Sequence, residues 1–103
     1  MFYTFIQNNS YGEFEMNSFV DQYVIIEADS AEEANKIGEN IGDVGIYFDG
    51  VEKEIDCPCC GDRWGRAWDG SGTDTPEIFG EKPSDHTLNY IIHYKNGTVK
   101  RGD

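Results

Sequence analysis

The scarcest residue types of this chain share one short window. Asp56-Cys57-Pro58-Cys59-Cys60-Gly61-Asp62-Arg63-Trp64-Gly65-Arg66-Ala67-Trp68 holds all three cysteines, both tryptophans and two of the three arginines. Cys57 and Cys60, followed by Gly61, carry the C-P-x-C-G pattern of a zinc knuckle. Two thiolates at that spacing converge on one ion. The glycine permits the tight turn, and backbone N–H groups in the turn can point at sulfur. A structural zinc takes four ligands. Cys57 and Cys60 supply two, whereas Cys59 points away from the ion in a standard knuckle. His86 and His93, the only histidines, could complete a Cys2His2 set. Two cysteines from each of two chains would be another route to four. Two further readings stay open. The cysteines could be small buried hydrophobes in a tight turn. A redox pair is the other, but it needs a helix after the turn to lower the thiol pKa, and Gly61-Asp62-Arg63-Trp64 begins no helix-forming run.

Arg63, Trp64, Arg66 and Trp68 interleave cations with aromatic rings. Indole faces stack bases, and guanidinium groups fork onto phosphates. The four residues therefore suit a small nucleotide-like ligand. The same residue types dominate protein-interface hot spots. Against both stands the plainer reading that a tryptophan completes a small core while the arginines are solvated.

The charge balance narrows the partners. The formal net charge is −12, which excludes a general binder of long nucleic acid, since phosphate contacts need clustered Lys and Arg. Residues 1–56 carry thirteen acids against two lysines, and residues 69–103 six acids against four bases. The window 57–68 has one acid, Asp62, against Arg63 and Arg66. An island of positive charge in an acidic chain can hold a small anion while the rest repels polyanions. Acids that merely keep a small protein soluble would give the same count. No apolar run approaches the ~20 residues of a membrane span. The opening Met1-Phe2-Tyr3-Thr4-Phe5-Ile6-Gln7 lacks the basic start of a signal peptide. Three closely spaced cysteines form no secreted disulfide framework, so a reducing cytoplasm is expected. No nucleophile–base pair, P-loop or dinucleotide turn is present, which reads against an enzyme.

The elements that must position the window are short. At 103 residues the chain is one domain with a modest core, for which a metal or a second subunit would be a useful staple. Residues 2–7 read as a strand, and Asn8-Asn9-Ser10-Tyr11-Gly12 as a turn. Residues 13–21 are ambiguous and read as a loop. Residues 22–28 are the clearest strand, their apolar run suiting a strand covered on one face and mostly shielded on the other. Ser30 and Glu33 make a capping box for a helix over about 30–41, with Ala34, Ile37, Gly38 and Ile41 as its buried stripe and Gly42 as its stop. Gly38 lets that helix lie close on the sheet. Residues 45–48 are a short strand, or an extended segment tucked under the helix. Residues 69–87, with three glycines and two prolines, form a long loop of the kind that is usually functional or mobile. Residues 88–94 are a strand, Asn96-Gly97 a hairpin turn, and residues 98–100 the return arm. The predicted fold is α+β: an antiparallel sheet of about four to five strands packed with one helix, in two layers, with a Cys-rich loop.

Four segments carry a resemblance to a known group of proteins. They are Phe2-Tyr3-Thr4-Phe5-Ile6-Gln7-Asn8-Asn9-Ser10, Val24-Ile25-Ile26-Glu27-Ala28-Asp29-Ser30-Ala31-Glu32-Glu33-Ala34, Ile46-Tyr47-Phe48-Asp49-Gly50 and Cys57-Pro58-Cys59-Cys60-Gly61-Asp62-Arg63-Trp64. Together they resemble a family of small, uncharacterised tailed-bacteriophage proteins, up to about residue 68. The resemblance implies a setting in the cytoplasm of an infected host cell and carries no activity. Small acidic phage proteins often act on host machinery or host defence. Some sequester cyclic nucleotide alarm signals, others inhibit a host enzyme, and some mimic DNA. The resulting expectation is a non-enzymatic, homo-oligomeric protein that sequesters a small anionic ligand, with zinc as a structural cofactor. The alternatives are an acidic inhibitor of a host enzyme and a zinc-stabilised interaction module.

Overall fold

The computed structural model describes residues 1–42 and 45–102. Four strands form one sheet in the order β1 (Phe2–Ile6), β2 (Tyr23–Glu27), β3 (Tyr90–His93), β4 (Val99–Arg101). The sheet is mixed rather than antiparallel. β1 and β2 are antiparallel, with Thr4 opposite Ile25, and β3 and β4 are antiparallel, with Ile92 opposite Lys100. The central pair β2–β3 is parallel, with Val24 opposite Ile91. Its cause is the path of the chain. β2 and β3 are joined by residues 28–89, an excursion long enough to carry the chain back to the end of the sheet at which β2 began.

α1 (Ala31–Asn40) starts where its cap predicts: the Ser30 hydroxyl accepts from the Glu33 N–H at 3.1 Å. The Glu33 carboxylate reaches back one residue further than a capping box requires, to the Asp29 N–H. Asp29 thereby has its N–H satisfied and the acid sits on the positive end of the helix. Gly42, with φ +70°, lies just past the helix end. Ala34 and Gly38 are buried, while Ile37 and Ile41 pack at the edge of the core. A Cβ on Gly38 would meet Ile46 at 3.3 Å, so this glycine does let the helix lie close.

Residues 45–48 are the second of the two expected alternatives. They form no strand but an extended segment under α1, fixed by the Ile46 N–H to the Gly38 carbonyl at 2.9 Å. Ile46 and Phe48 are each 2% exposed. The hairpin is where Asn96-Gly97 predicts, with the Tyr94 N–H bonded to the Thr98 carbonyl and Gly97 at φ +92°.

Both faces of the sheet are covered, so the two expected layers become three. On one face Tyr3, Phe5, Val24, Ile26 and Ile91 pack against α1, Ile46, Phe48 and Trp64. On the other, Phe2, Tyr23, Ile25, Tyr90 and Ile92 pack against Ile78. Residues 69–87 supply that second cover. Ile78 is fully buried, the Glu77 carbonyl accepts from the Thr4 hydroxyl at 2.7 Å, and a short helix α2 (Pro83–His86) follows. The length of this segment is explained by the face it must close.

Candidate functional site

Arg63 and Trp64 are internal. The Arg63 residue is 7% exposed and its guanidinium ties three distant segments together. Nη1 donates to Gln7 Oε1 and to the Glu13 carbonyl, both at 2.8 Å, and Nε donates to the Tyr47 hydroxyl at 3.1 Å. The Tyr47 hydroxyl donates in turn to Asp56 Oδ1 at 2.5 Å, and Asp56 Oδ2 accepts the Arg63 N–H at 2.7 Å. Burial and the Asp56 contact push the Tyr47 phenol up to about 12. Gly50 is required here, since a Cβ would stand 1.9 Å from Asp56 Oδ2. Trp64 is 1% exposed, and its indole N–H has no acceptor among the described residues. Its contribution is the apolar ring.

Arg66 and Trp68 lie outside. Arg66 forks onto Asp49 (Nη2–Oδ2 2.6 Å, Nη1–Oδ1 3.1 Å) with its guanidinium 4.9 Å from the centre of the Phe48 ring. The guanidinium holds the Asp49 carboxyl below the usual carboxylate range. Trp68 is 68% exposed. Both border an open groove of about 480 Å³ against α1, together with Ala67, Lys36 and the acids Glu32, Glu39 and Asp69. The four residues of the predicted ligand set are therefore split, two in the interior and two on a groove rich in carboxylates.

The cysteine segment folds as a turn, with the Cys60 and Gly61 N–H groups donating to the Cys57 carbonyl at 3.1 and 3.0 Å. Asn8 clamps it, donating to the Cys60 carbonyl at 2.6 Å and the Asp62 carbonyl at 3.3 Å. All three cysteines are thiols; Cys59 and Cys60 are exposed and Cys57 is half-buried. Backbone N–H groups of Cys60 and Cys59 lie against the Cys57 sulfur and hold that thiol below its usual pKa.

The structure does not gather Cys57, Cys60, His86 and His93. Among the described residues no three His, Cys, Asp or Glu side chains are grouped to hold a metal. His86 packs edge-on against Tyr23 and Phe79, on the sheet face opposite Trp64. His93 is 9% exposed, and its Nε2 donates to the Phe19 carbonyl at 2.7 Å. Burial pushes the His93 pKa below the usual ~6.5, Arg101 adds to the shift, and the Phe19 contact opposes it. The folded state thus prefers the neutral ring, and the unfolded chain takes the proton first as pH falls. Stability contributed by His93 is present above about 6.5 and declines below it. Melting temperatures between pH 7.5 and 5.5 are expected to fall more steeply for the natural chain than for His93→Gln (pH range set by the ~6.5 reference value).

A second concavity has the opposite electrostatic character. Lys82 and Lys100 border a cleft of about 330 Å³ with Thr75, Ser84, Tyr90 and Tyr94. None of the described residues lining it is acidic. Lys36, Lys95, Arg63, Arg66 and Arg101 all pair with carboxylates, whereas Lys82 and Lys100, and Lys53 outside the cleft, have none within 4.0 Å among the described residues. β3 positions the tyrosine Tyr90, the hairpin positions Tyr94, β4 carries Lys100, and the residue before α2 is Lys82.

One family model matches residues 1–102. The chain belongs to that family, a domain of unknown function (DUF7296). No curated protein and no solved structure matches the chain. In this member of DUF7296 the Lys82–Lys100 cleft is the feature that sequence reading missed. Its parts come from a loop, a strand and a hairpin, and no local motif joins them. The faint signal was the drop in acid excess after residue 68.

Proposed function

We propose that this protein is a non-enzymatic binding protein that holds a small anionic ligand in the Lys82–Lys100 cleft. One observation carries the reading. In a chain of net charge −12, two lysines without carboxylate partners among the described residues share one concavity with two tyrosine rings and two hydroxyls. Unpaired ammonium groups meet phosphate or carboxylate at little desolvation cost, hydroxyls add orientation, and tyrosine rings give an apolar floor. The surrounding acids turn away long polyanions, which favours a small ligand. The resemblance to tailed-phage proteins supplies a setting in which sequestering a cyclic nucleotide signal would blunt host defence.

Calorimetric titration with inorganic phosphate, adenosine monophosphate and a cyclic dinucleotide tests the reading. At least one anion is expected to bind, with affinity falling as salt rises and dropping about tenfold or more in Lys82→Ala/Lys100→Ala, since a lost charged hydrogen bond is worth roughly 1.5–3 kcal/mol. Binding that survives the double variant, or no binding at all, sinks the proposal. Loss in Arg66→Ala/Trp68→Ala instead would return the ligand to the groove beside α1.

A second reading rests on Trp68. An indole that is 68% exposed beside Glu32, Glu39 and Asp69 fits a hot spot for a cationic protein surface. Reversing those acids would weaken such a contact and leave anion binding in place.

A further inference from the structure

Resting on the anion-binding reading of the Lys82–Lys100 cleft, we propose that its ligand is one planar ring system carrying one phosphate-like group, the class of a nucleoside monophosphate. Tyr94 is the stacking face for the ring, and the Tyr90 hydroxyl is a fixed polar contact.

The floor of the cleft is a row of side chains on one sheet face. Tyr90 and Ile92 alternate along β3, and Tyr94 continues the alternation one residue past it, because its N–H bonds to the Thr98 carbonyl at 2.8 Å. At ~3.3 Å per residue the row is about 13 Å long. Lys100 stands opposite Ile92 in the register of β3 and β4, beside the middle of the row. Lys82 comes instead from the segment that covers this face. The two ammonium groups and the row are therefore parts of one concavity, supplied by different layers.

Size decides between ligand classes. The cleft of about 330 Å³ lies at the lower end of the ~300–1,000 Å³ typical of small-molecule sites. A bare phosphate would meet the ammonium groups and leave the row beneath it uncovered. A cyclic dinucleotide, with two bases and two phosphates, asks for more room than the cleft offers. One ring system with one anionic head satisfies both limits.

Two tyrosines give the row its selectivity. Tyr94 is half-buried, and the Phe2 ring meets it at 84° with centroids 5.9 Å apart. That contact holds the Tyr94 ring before a ligand arrives, which lowers the ordering cost of binding. Tyr90 is 4% exposed, and its hydroxyl bonds none of the described residues. Gly102 closes over this ring, where a Cβ would stand 2.5 Å from Tyr90 Cε2. Buried phenols usually find a hydrogen-bond partner. A phenol this deep in the lining of a cleft leaves that partner to be supplied by the ligand.

Calorimetric titration of the full chain with inorganic phosphate, ribose 5-phosphate, adenosine monophosphate and a cyclic dinucleotide tests the assignment. Adenosine monophosphate is expected to bind at least about tenfold more tightly than phosphate or ribose 5-phosphate, the effect of one base stacked on one ring. Tyr94→Leu, which keeps apolar bulk and deletes the aromatic face, should lower the affinity for adenosine monophosphate about tenfold and leave that for phosphate unchanged. Tyr90→Phe should lower it severalfold through the lost hydroxyl. Circular dichroism of each variant separates loss of contact from loss of fold. Equal affinities for phosphate, ribose 5-phosphate and adenosine monophosphate, all lost in Lys82→Ala/Lys100→Ala, overturn the ring and leave the anion site standing. A cyclic dinucleotide that binds more tightly than adenosine monophosphate overturns the assignment, as does an unchanged affinity for adenosine monophosphate in folded Tyr94→Leu or Tyr90→Phe. Binding of no anion sinks the anion site and this assignment together.

Discussion

Replacing Arg63 with alanine is expected to cost about 3–5 kcal/mol, which removes much or all of the stability of a small domain. The size follows from what is left behind. Asp56 is 2% exposed and would keep its carboxylate without the guanidinium 3.9 Å from Oδ1. Gln7 Oε1 and the Glu13 carbonyl would each lose a donor. An unpaired buried charge costs far more than the lost pair would suggest. Urea unfolding followed by tryptophan fluorescence measures it. Arg66→Ala serves as the comparison: its ion pair with Asp49 is exposed and screened by solvent, so its loss should be far milder. Equal effects at the two arginines would show that the Arg63 network is not holding the fold. A companion change, Tyr47→Phe, keeps the ring and deletes the hydroxyl between Arg63 and Asp56. It should cost less than Arg63→Ala, because the charge remains compensated.

Trp64→Ala is expected to cost about 3–5 kcal/mol, the range for truncating a large buried aromatic. Trp64 is 1% exposed among Phe5, Phe48 and Ile46, and nothing nearby can refill the volume without moving the extended segment under α1. Trp64→Phe should be much milder, since the indole N–H has no acceptor among the described residues to lose. Trp68→Ala, at a site 68% exposed, should fall within about 0.5 kcal/mol of the natural chain. Thermal unfolding of the three variants decides the matter. A Trp68 effect matching that of Trp64 would refute the assignment of one ring to the core and the other to the surface.

The contrast between these residues marks what the sequence could tell. α1 and the 94–98 hairpin turn were legible because their causes are local: Ser30 caps the Glu33 N–H, and Gly97 takes the positive φ its turn needs. The packing of residues 45–48 was legible as one of two alternatives. Arg63 was not, because its burial depends on Gln7, Glu13, Tyr47 and Asp56, which only the fold brings together. Nor was the parallel pairing of β2 with β3. Strand periodicity gives faces, but direction depends on where residues 28–89 take the chain. The Lys82–Lys100 cleft was hidden for the same reason, being built from three segments that share no motif.

The parallel seam at the centre of the sheet also sets an order of assembly. β3 and β4 can zip through their short turn, and β1 and β2 through residues 7–22. The seam between these two ribbons cannot close until residues 28–89 have found their places on both faces. Long-range pairing of this kind is slow, because loop-closure entropy is lost before contacts return it. A nascent chain that has emerged only as far as residue 89 presents β2 as an open edge, its Val24, Ile25 and Ile26 lacking their β3 neighbours. Residues 90–101 therefore act as a latch, and until they arrive the apolar centre of the domain is available to any other strand.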